Sequence, residues 1–359
     1  NTNRTMEIMR RKSRKLALGK LFIGGDAPVS IQSMLSVKTS ELDRSSAQII
    51  SLAEAGCEIL RFSVMDMEDA AAIQELKKIS PVPLIADIHF DHKLALAAIE
   101  AGIDGLRINP GNIGERAGVE RLVAAARERL IPIRIGVNSG SLPRDLLEQY
   151  GVSERSMVEA ALRHIQLLEE LNYHEIKVSV KASQLDLMLA SYRLLAASCP
   201  YPLHLGVTEA GTLLPGTVKS SLGLGFLLSE GIGDTIRVSL TADPAEEVKV
   251  AREILKSLGL RKGLNIVSCP TCGRTRINLI QLATEVEHEL QEFRDLPLTV
   301  AVMGCVVNGP GEAREADFGI AGGRGEGLLF VKGEIVAKLP EAQLLPRLKE
   351  LILSHNQEF

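Results

Sequence analysis

The 359-residue chain contains no tryptophan, and aromatic residues make up only 3% of it. It therefore lacks the stacking platforms on which single-stranded nucleic acids are bound. It also lacks a basic excess. Its 41 Lys and Arg against 45 Asp and Glu leave a formal net charge of −4, which argues against a nucleic-acid partner. No apolar run approaches the roughly 20 residues that a membrane span requires. Cysteines are few, five in all, and a chain this long buries roughly three quarters of its unfolded surface without disulfide staples. Cys57, Cys199, Cys269, Cys272 and Cys305 are thus expected to be buried thiols or metal ligands in a cytoplasmic protein. The basic cluster Arg10, Arg11, Lys12, Arg14 and Lys15 leads into LALGKLFIGG, too short and too interrupted for a signal segment. It is expected to be a solvated segment ahead of the first strand.

What the chain does have is alternation. From Pro28 to Leu260, short β-branched runs alternate with Ala- and Leu-rich stretches of helical period that stop at Gly or Pro. Eight strands are predicted, at 29–34, 57–64, 83–88, 105–110, 132–137, 175–180, 202–208 and 234–240. Eight βα units in this length predict a (β/α)8 TIM barrel over residues 1–260. A doubly wound sheet would carry fewer strands and a GxGxxG turn after its first, and neither is present. EAGCEILRFS and EAGIDGLRIN, at 54–63 and 100–109, align without a gap, as similar barrel units would. Around Arg261 the pattern changes, and residues 261–359 are expected to form a separate small α/β domain. Its strands include NIVSC and LTVAVMG, with helices near 275–293 and 341–354.

Four arginines recur at predicted strand ends. Arg61, Arg107, Arg134 and Arg237 are each followed two residues on by Ser63, Asn109, Gly136 and Ser239. Period-2 alternation puts each pair on one face of its strand, while Leu60, Phe62, Leu106, Ile108, Ile236 and Val238 suit the helix-packed face. The arginines should then point inward at the C-terminal mouth, where barrel enzymes keep their sites. Four guanidiniums converging there repel one another unless an anion is bound, and their forks match phosphate oxygens. The bland alternative is an internal ion-pair network with Asp87 and Glu209, but two carboxylates are too few for it. Lys181 adds a fifth cation. The loops GNIG, GVNSGS and TEAGTLLPGTVKSS offer glycines and hydroxyls for phosphate, though none is a Walker motif. His89, beside Asp87, is a candidate for proton transfer.

Cys57 and Cys199 fall at the starts of their strands, on the face remote from the mouth, and read as small hydrophobes. Cys269-Pro-Thr-Cys272 is different. It brings two thiols together at a strand-to-helix junction, and Cys305 opens GCVVNGPGEA, whose turn can return Glu312. A dithiol redox pair would not need Cys305. Zinc wants a fourth ligand that no Cys or nearby His is spaced to provide, since His288 lies mid-helix. Three cysteines and an open iron suit a [4Fe–4S] cluster, which the spacing favours over zinc.

CPTCGRT followed by GCVVNGPGEA, behind LRINPGNIG, IRIGVNSGS, VSVKAS and GVTEAG, resembles the bacterial 4-hydroxy-3-methylbut-2-enyl diphosphate synthases over nearly the whole chain. These are iron–sulfur enzymes of the methylerythritol phosphate route to isoprenoids. The resemblance implies a [4Fe–4S] cluster on Cys269, Cys272, Cys305 and Glu312, in the two-domain bacterial form. It implies a substrate, 2-C-methyl-D-erythritol 2,4-cyclodiphosphate, held by Arg61, Arg107, Arg134, Asn138, Lys181, Arg237 and Ser239. Thr208, Glu209 and Asp87 fall where the family has further polar residues facing substrate. Flavodoxin or ferredoxin would deliver the electrons, and the family works as a homodimer. Glu209 is the first choice of proton donor and His89 the second. The competing class is a non-redox barrel enzyme resembling dihydropteroate synthase, with a structural zinc.

Overall fold

The computed structural model describes residues 8–89, 91–109, 116–275, 277–305, 314–323 and 325–356. The chain divides into two compact units, Asn1–Leu260 and Arg261–Phe359.

In the first unit, eight strands alternate with helices: β3 (Ser30–Met34), β4 (Ile59–Ser63), β5 (Leu84–Asp87), β6 (Gly105–Ile108), β7 (Ile133–Asn138), β8 (Ile176–Lys181), β9 (His204–Leu205) and β10 (Thr235–Ile236). All pair in parallel, each with its neighbours in sequence, and β10 returns to β3. A bridge from Val178 to Leu203 joins β8 to β9 and closes the ring. All eight predicted strands are present, although the last two are reduced to two residues each. The connecting helices begin where the sequence offers caps. Asp66 accepts from the Asp69 N–H at 2.9 Å to start α2 (Met67–Ile79), Ser153 forms a capping box at α6 (Glu154–Glu170), and Asp243-Pro244 opens α9 (Pro244–Ser257).

The alternation along the strands divides the barrel into two environments. Leu60, Phe62, Leu84, Ala86, Leu106, Ile108, Ile133, Ile135, Val178 and Val180 all join the layer between strands and helices. Each buried aliphatic side chain there contributes about 1.5–3 kcal/mol relative to exposure. The alternate residues face the barrel axis and are mostly polar from the middle upward. Below them, Ile59 and Ile85 pack with Leu16, Leu18 and Ile23. These last three belong to an antiparallel hairpin of β1 (Leu16–Leu18) and β2 (Leu21–Ile23), which plugs the lower end. Gly105 has no side chain because a Cβ there would stand 2.8 Å from Leu18 Cδ1.

The expectation of a solvated basic segment before this hairpin is corrected in part. Arg10 pairs with Asp234 at 2.9 Å, and Arg11 donates to the carbonyls of Ala196 and Tyr201 at 3.0 and 3.1 Å. Their donors satisfy carboxylate and carbonyl groups at the lower rim that would otherwise be buried unpaired. Lys12, Arg14 and Lys15 remain exposed.

The second unit is a five-stranded sheet in the order β11 (Asn265–Ser268), β12 (Thr299–Met303), β13 (Phe318–Gly322), β14 (Glu326–Val331) and β15 (Glu334–Pro340). The first three strands run parallel and the last two antiparallel. Helix α10 (Leu279–Glu289) and the closing helix Glu341–Asn356 supply Leu282, Val286, Leu344, Leu348 and Ile352 to its core. Among the described residues, no helix is long and apolar enough to cross a membrane.

Candidate active site

The inward-facing polar residues meet in one cavity of about 250 Å3, lined by Arg61, Asp87, His89, Arg107, Arg134, Asn138, Ser179, Lys181, Thr208, Arg237 and Ser239. Every residue that the sequence assigned to anion binding lines it. Register explains the convergence. Arg107 pairs with Arg134 across β6 and β7, Asp87 with Arg107 across β5 and β6, and Asn138 with Lys181 across β7 and β8. Two glycines make room for the long cations. A Cβ on Gly136 would lie 2.9 Å from Arg107 Nε, and one on Gly206 would lie 2.8 Å from Lys181 Nζ.

The charges do not balance. Asp87 is shared: Arg107 Nη1 lies 3.2 Å from Oδ1, and Arg61 Nε lies 3.4 Å from Oδ2. His89 Nε2 sits 3.3 Å from the same Oδ1 and 3.0 Å from Arg107 Nη1. Arg237 pairs instead with Glu247, through Nε and Nη2 at 3.4 Å each. Among the described residues Arg134 has one hydrogen bond, 3.3 Å from Nη1 to Ser179 Oγ, and its buried Nε has no partner. Among the described residues, five basic side chains thus face two carboxylates, Asp87 and Glu247.

The pKa shifts of the buried groups follow from the same crowding of cations. Burial, reinforced by Arg61 and Arg107, holds the Arg134 pKa well below its ordinary value. Burial also brings Arg61 down to about 10, with Asp87 opposing and Arg237 and Arg107 adding to the fall. Lys181 is lowered by burial and then by Arg134, Arg61, Arg237 and Arg107. Guanidinium groups nevertheless keep their protons, so the cost of crowding is one that a bound anion relieves. Burial alone would push the Asp87 carboxyl up. The His89 hydrogen bond and the guanidiniums of Arg61, Arg107 and Arg134 outweigh it and hold the group well below the carboxylate range.

Three placements differ from the sequence picture. Glu209 is exposed on the turn after β9, in the left-handed region at φ 53°, and is not among the cavity-lining residues. The second carboxylate of the network is Glu247, from the first turn of α9, which also accepts from Ser33 and from the Leu240 N–H. No strand periodicity could have pointed to a helical residue. Ser179, which lines the cavity, was also not singled out, although its place midway between Lys177 and Lys181 on one face of β8 is the signal that could have found it. The GNIG loop lies outside the described residues. Cys57 is buried, and desolvation pushes its thiol up to about 12, as an inert core cysteine requires.

In the second unit, Cys269 follows β11 directly and Cys305 lies two residues beyond β12, so adjacent parallel strands deliver both to one edge of the sheet. The Gly304 N–H donates to Cys269 Sγ at 3.2 Å. Cys272 is exposed, and its thiol is lowered first by the Arg274 backbone N–H, then by the Arg274 side chain and the Thr275 hydroxyl. Donors aimed at sulfur favour thiolate, the form in which cysteine binds iron or zinc. The donor set therefore fits a thiolate-held cluster. Among the described residues no three His, Cys, Asp or Glu side chains are gathered as a metal site, and Glu312 and the turn at 308–311 lie outside those residues. His288 is 84% exposed beside Glu289.

The GcpE TIM-barrel domain model matches residues 13–252, and the GcpE protein C-terminal domain model matches residues 265–354. A relative from Geobacter sulfurreducens named 4-hydroxy-3-methylbut-2-en-1-yl diphosphate synthase (flavodoxin) is 62% identical over 338 residues, 94% of this chain and 96% of its own. A relative of the same name from Clostridium perfringens is 55% identical over 345 residues, 96% of this chain and 99% of its own. Among solved structures, Yersinia pestis dihydropteroate synthase superposes with a TM-score of 0.50 at 15% identity, covering 68% of this chain and 98% of that one. At that identity the likeness is one of barrel fold. The resemblance drawn from the cysteine and arginine motifs is thereby borne out, and the chain belongs to the GcpE family.

Proposed function

We propose that the chain catalyses the two-electron reductive ring opening and dehydration of 2-C-methyl-D-erythritol 2,4-cyclodiphosphate to 4-hydroxy-3-methylbut-2-enyl diphosphate. The observation that carries this reading is the excess of positive charge converging from five strands on one cavity, in a chain whose relatives bear the synthase name. Arg61, Arg107, Arg134, Lys181 and Arg237 hold the diphosphate and leave the carbon skeleton facing the open mouth. Asn138, Thr208 and Ser239 supply neutral hydrogen bonds that fix its orientation. In the reaction one C–O bond to the diphosphate breaks, two electrons enter, and a hydroxyl leaves with one proton as water. The released diphosphate oxygen stays neutralised by the guanidiniums. Glu209 is proposed to deliver the proton from its turn beside Thr208, with Asp87-bound His89 as the alternative donor.

Cys269, Cys272 and Cys305, with Glu312, would hold a [4Fe–4S] cluster. Such a cluster supplies single electrons and a Lewis-acidic iron. Flavodoxin is the proposed reductant, in keeping with the relatives' name, and ferredoxin the alternative. We further propose a cytoplasmic homodimer without nucleic-acid or membrane partners, in which one subunit's cluster domain serves the other's barrel. Helix α8 (Leu213–Ser229) supports an association, since Leu214, Val218, Leu222 and Phe226 form an exposed apolar stripe at four-residue spacing. Mixing Cys305→Ala and Arg107→Ala chains should restore some activity if the site is shared; two inactive proteins that stay inactive together would reject sharing.

Iron, acid-labile sulfide and zinc per chain, measured on anaerobically purified protein, test the cofactor. About four iron and four sulfide are expected for such a cluster. Stoichiometric zinc without sulfide would reject the redox reading in favour of a non-redox barrel enzyme.

A further inference from the structure

Beneath the anion cavity the barrel interior stays polar. Lys177, on β8, lies two residues below Ser179 on the same inward face and pairs in register with Arg134. It is 2% exposed, and among the described residues its ammonium has no hydrogen-bond partner. Two buried residues on other strands share this condition. Both polar atoms of the buried Gln32 side chain on β3 lack partners, as does Nε2 of the fully buried His204 on β9, whose Nδ1 lies 2.7 Å from Thr235 Oγ1. Buried polar groups in native proteins are ordinarily hydrogen-bonded, so these atoms stand out in the barrel interior.

The charges that act on Lys177 are mostly cationic, Arg134 from β7 and Arg61 from β4, and these two belong to the cluster with Arg107, Arg237 and Lys181 above. The carboxylates are already engaged. Asp87 serves Arg61 and Arg107, Glu247 serves Arg237, and Asp234 takes Arg10 at 2.9 Å and the Leu203 N–H at 2.8 Å. Among the described residues Lys177 has no ion-pair partner. Burial first, then Arg134 and Arg61, bring it down to about 7, with Asp234 opposing.

We propose that Lys177 is a proton-accepting counter-charge for the cavity above it: short of its full charge while the cavity is empty, and fully protonated from solvent when a diphosphate anion settles among Arg61, Arg107, Arg134 and Lys181. The anion cancels the cationic field that disfavours the ammonium, so binding and proton uptake reinforce each other. Lys177 touches no substrate, and its role is to adjust the charge beneath the bound diphosphate. The inference rests on the anion-binding reading of the cavity.

Isothermal titration of the full chain with inorganic pyrophosphate at pH 8, in HEPES and in Tris, gives the number of protons taken up from the difference in buffer ionisation heat. A group titrating near 7 is about nine-tenths neutral at pH 8. The unaltered protein should therefore take up between about half and one proton more than Lys177→Met, the ligand's own protonation being common to both. Equal proton numbers with pyrophosphate bound would overturn the role of Lys177 alone, whereas absence of binding would overturn the cavity reading with it. Should Lys177→Met not fold, ε-13C-lysine spectra of Lys181→Met leave Lys177 as the one lysine buried in the barrel among the described residues. One signal titrating well below the ordinary lysine value is expected there, and its absence would overturn the proposal.

Discussion

Replacing Arg134 with methionine should move stability and affinity in opposite directions. The guanidinium is 2% exposed, meets one hydroxyl at 3.3 Å, and sits among Arg61, Arg107 and Lys181 with no carboxylate of its own. Replacing buried ion pairs or triads by apolar side chains of similar volume is often stabilising by about 1–4 kcal/mol, and removing a buried charge that lacks a close partner should act in the same direction. At roughly 2–4 °C per kcal/mol for a chain of this size, the empty variant should melt several degrees higher. The same guanidinium makes charge-assisted hydrogen bonds to the diphosphate, and losing these costs about 1.5–3 kcal/mol, or roughly ten- to 150-fold in Kd. At pyrophosphate equal to 100 times the unaltered Kd, the unaltered protein gains about 2.7 kcal/mol. A variant binding about 30-fold more weakly gains only about 0.9 kcal/mol at that concentration, so the lead narrows by roughly 2 kcal/mol. Melting curves with and without pyrophosphate, together with titration calorimetry, measure both effects. A lower melting temperature in the empty variant, or an unchanged Kd, would refute the reasoning, because the guanidinium would then be a structural pairing group.

The neighbouring groups give contrasting expectations. Asp87→Asn leaves Arg61 and Arg107 without their shared carboxylate and should cost about 3–5 kcal/mol. Because the folded carboxyl is held below its ordinary value, its contribution is present above the unfolded pKa and lost as pH falls through the folded one. The deficit in denaturant titrations should thus be constant from about pH 8 to 5 and close only below about pH 4. Glu247→Gln should lower stability by about 1–3 kcal/mol and weaken pyrophosphate binding by freeing Arg237 from its 3.4 Å pair, both readable in one ligand-dependent melting series. Gly136→Ala places a Cβ 2.9 Å from Arg107 Nε and displaces a flexible guanidinium, so calorimetry should show affinity falling on the order of tenfold while stability changes by less than about 1 kcal/mol.

The barrel and most of its cavity were legible because strands repeat every two residues. Arg61, Arg107 and Arg134 alternate with Leu60, Phe62, Leu106, Ile108, Ile133 and Ile135, and the pleat sends the two sets to opposite faces. Legibility stops where that period stops. Beyond Thr208 the chain enters a turn, and the left-handed backbone of Glu209 directs it to solvent; a non-glycine residue gives no warning of such a φ. Glu247 was invisible because an acid in the first turn of a helix is an ordinary capping feature. Arg10 and Arg11 read as surface charge because their partners, Asp234 and the carbonyls of Ala196 and Tyr201, lie some 190 to 220 residues away. The cysteines were legible from motif spacing rather than from any periodicity.

The most direct test of the proposed reaction is single-batch conversion of 2-C-methyl-D-erythritol 2,4-cyclodiphosphate by anaerobic, iron-loaded protein with reduced flavodoxin, followed by phosphorus NMR. The account predicts that the two cyclic phosphorus signals give way to those of a linear diphosphate, and that Cys305→Ala and Arg107→Ala each abolish the change. An iron-replete protein that binds the cyclodiphosphate yet leaves it unchanged under reduced flavodoxin would contradict it.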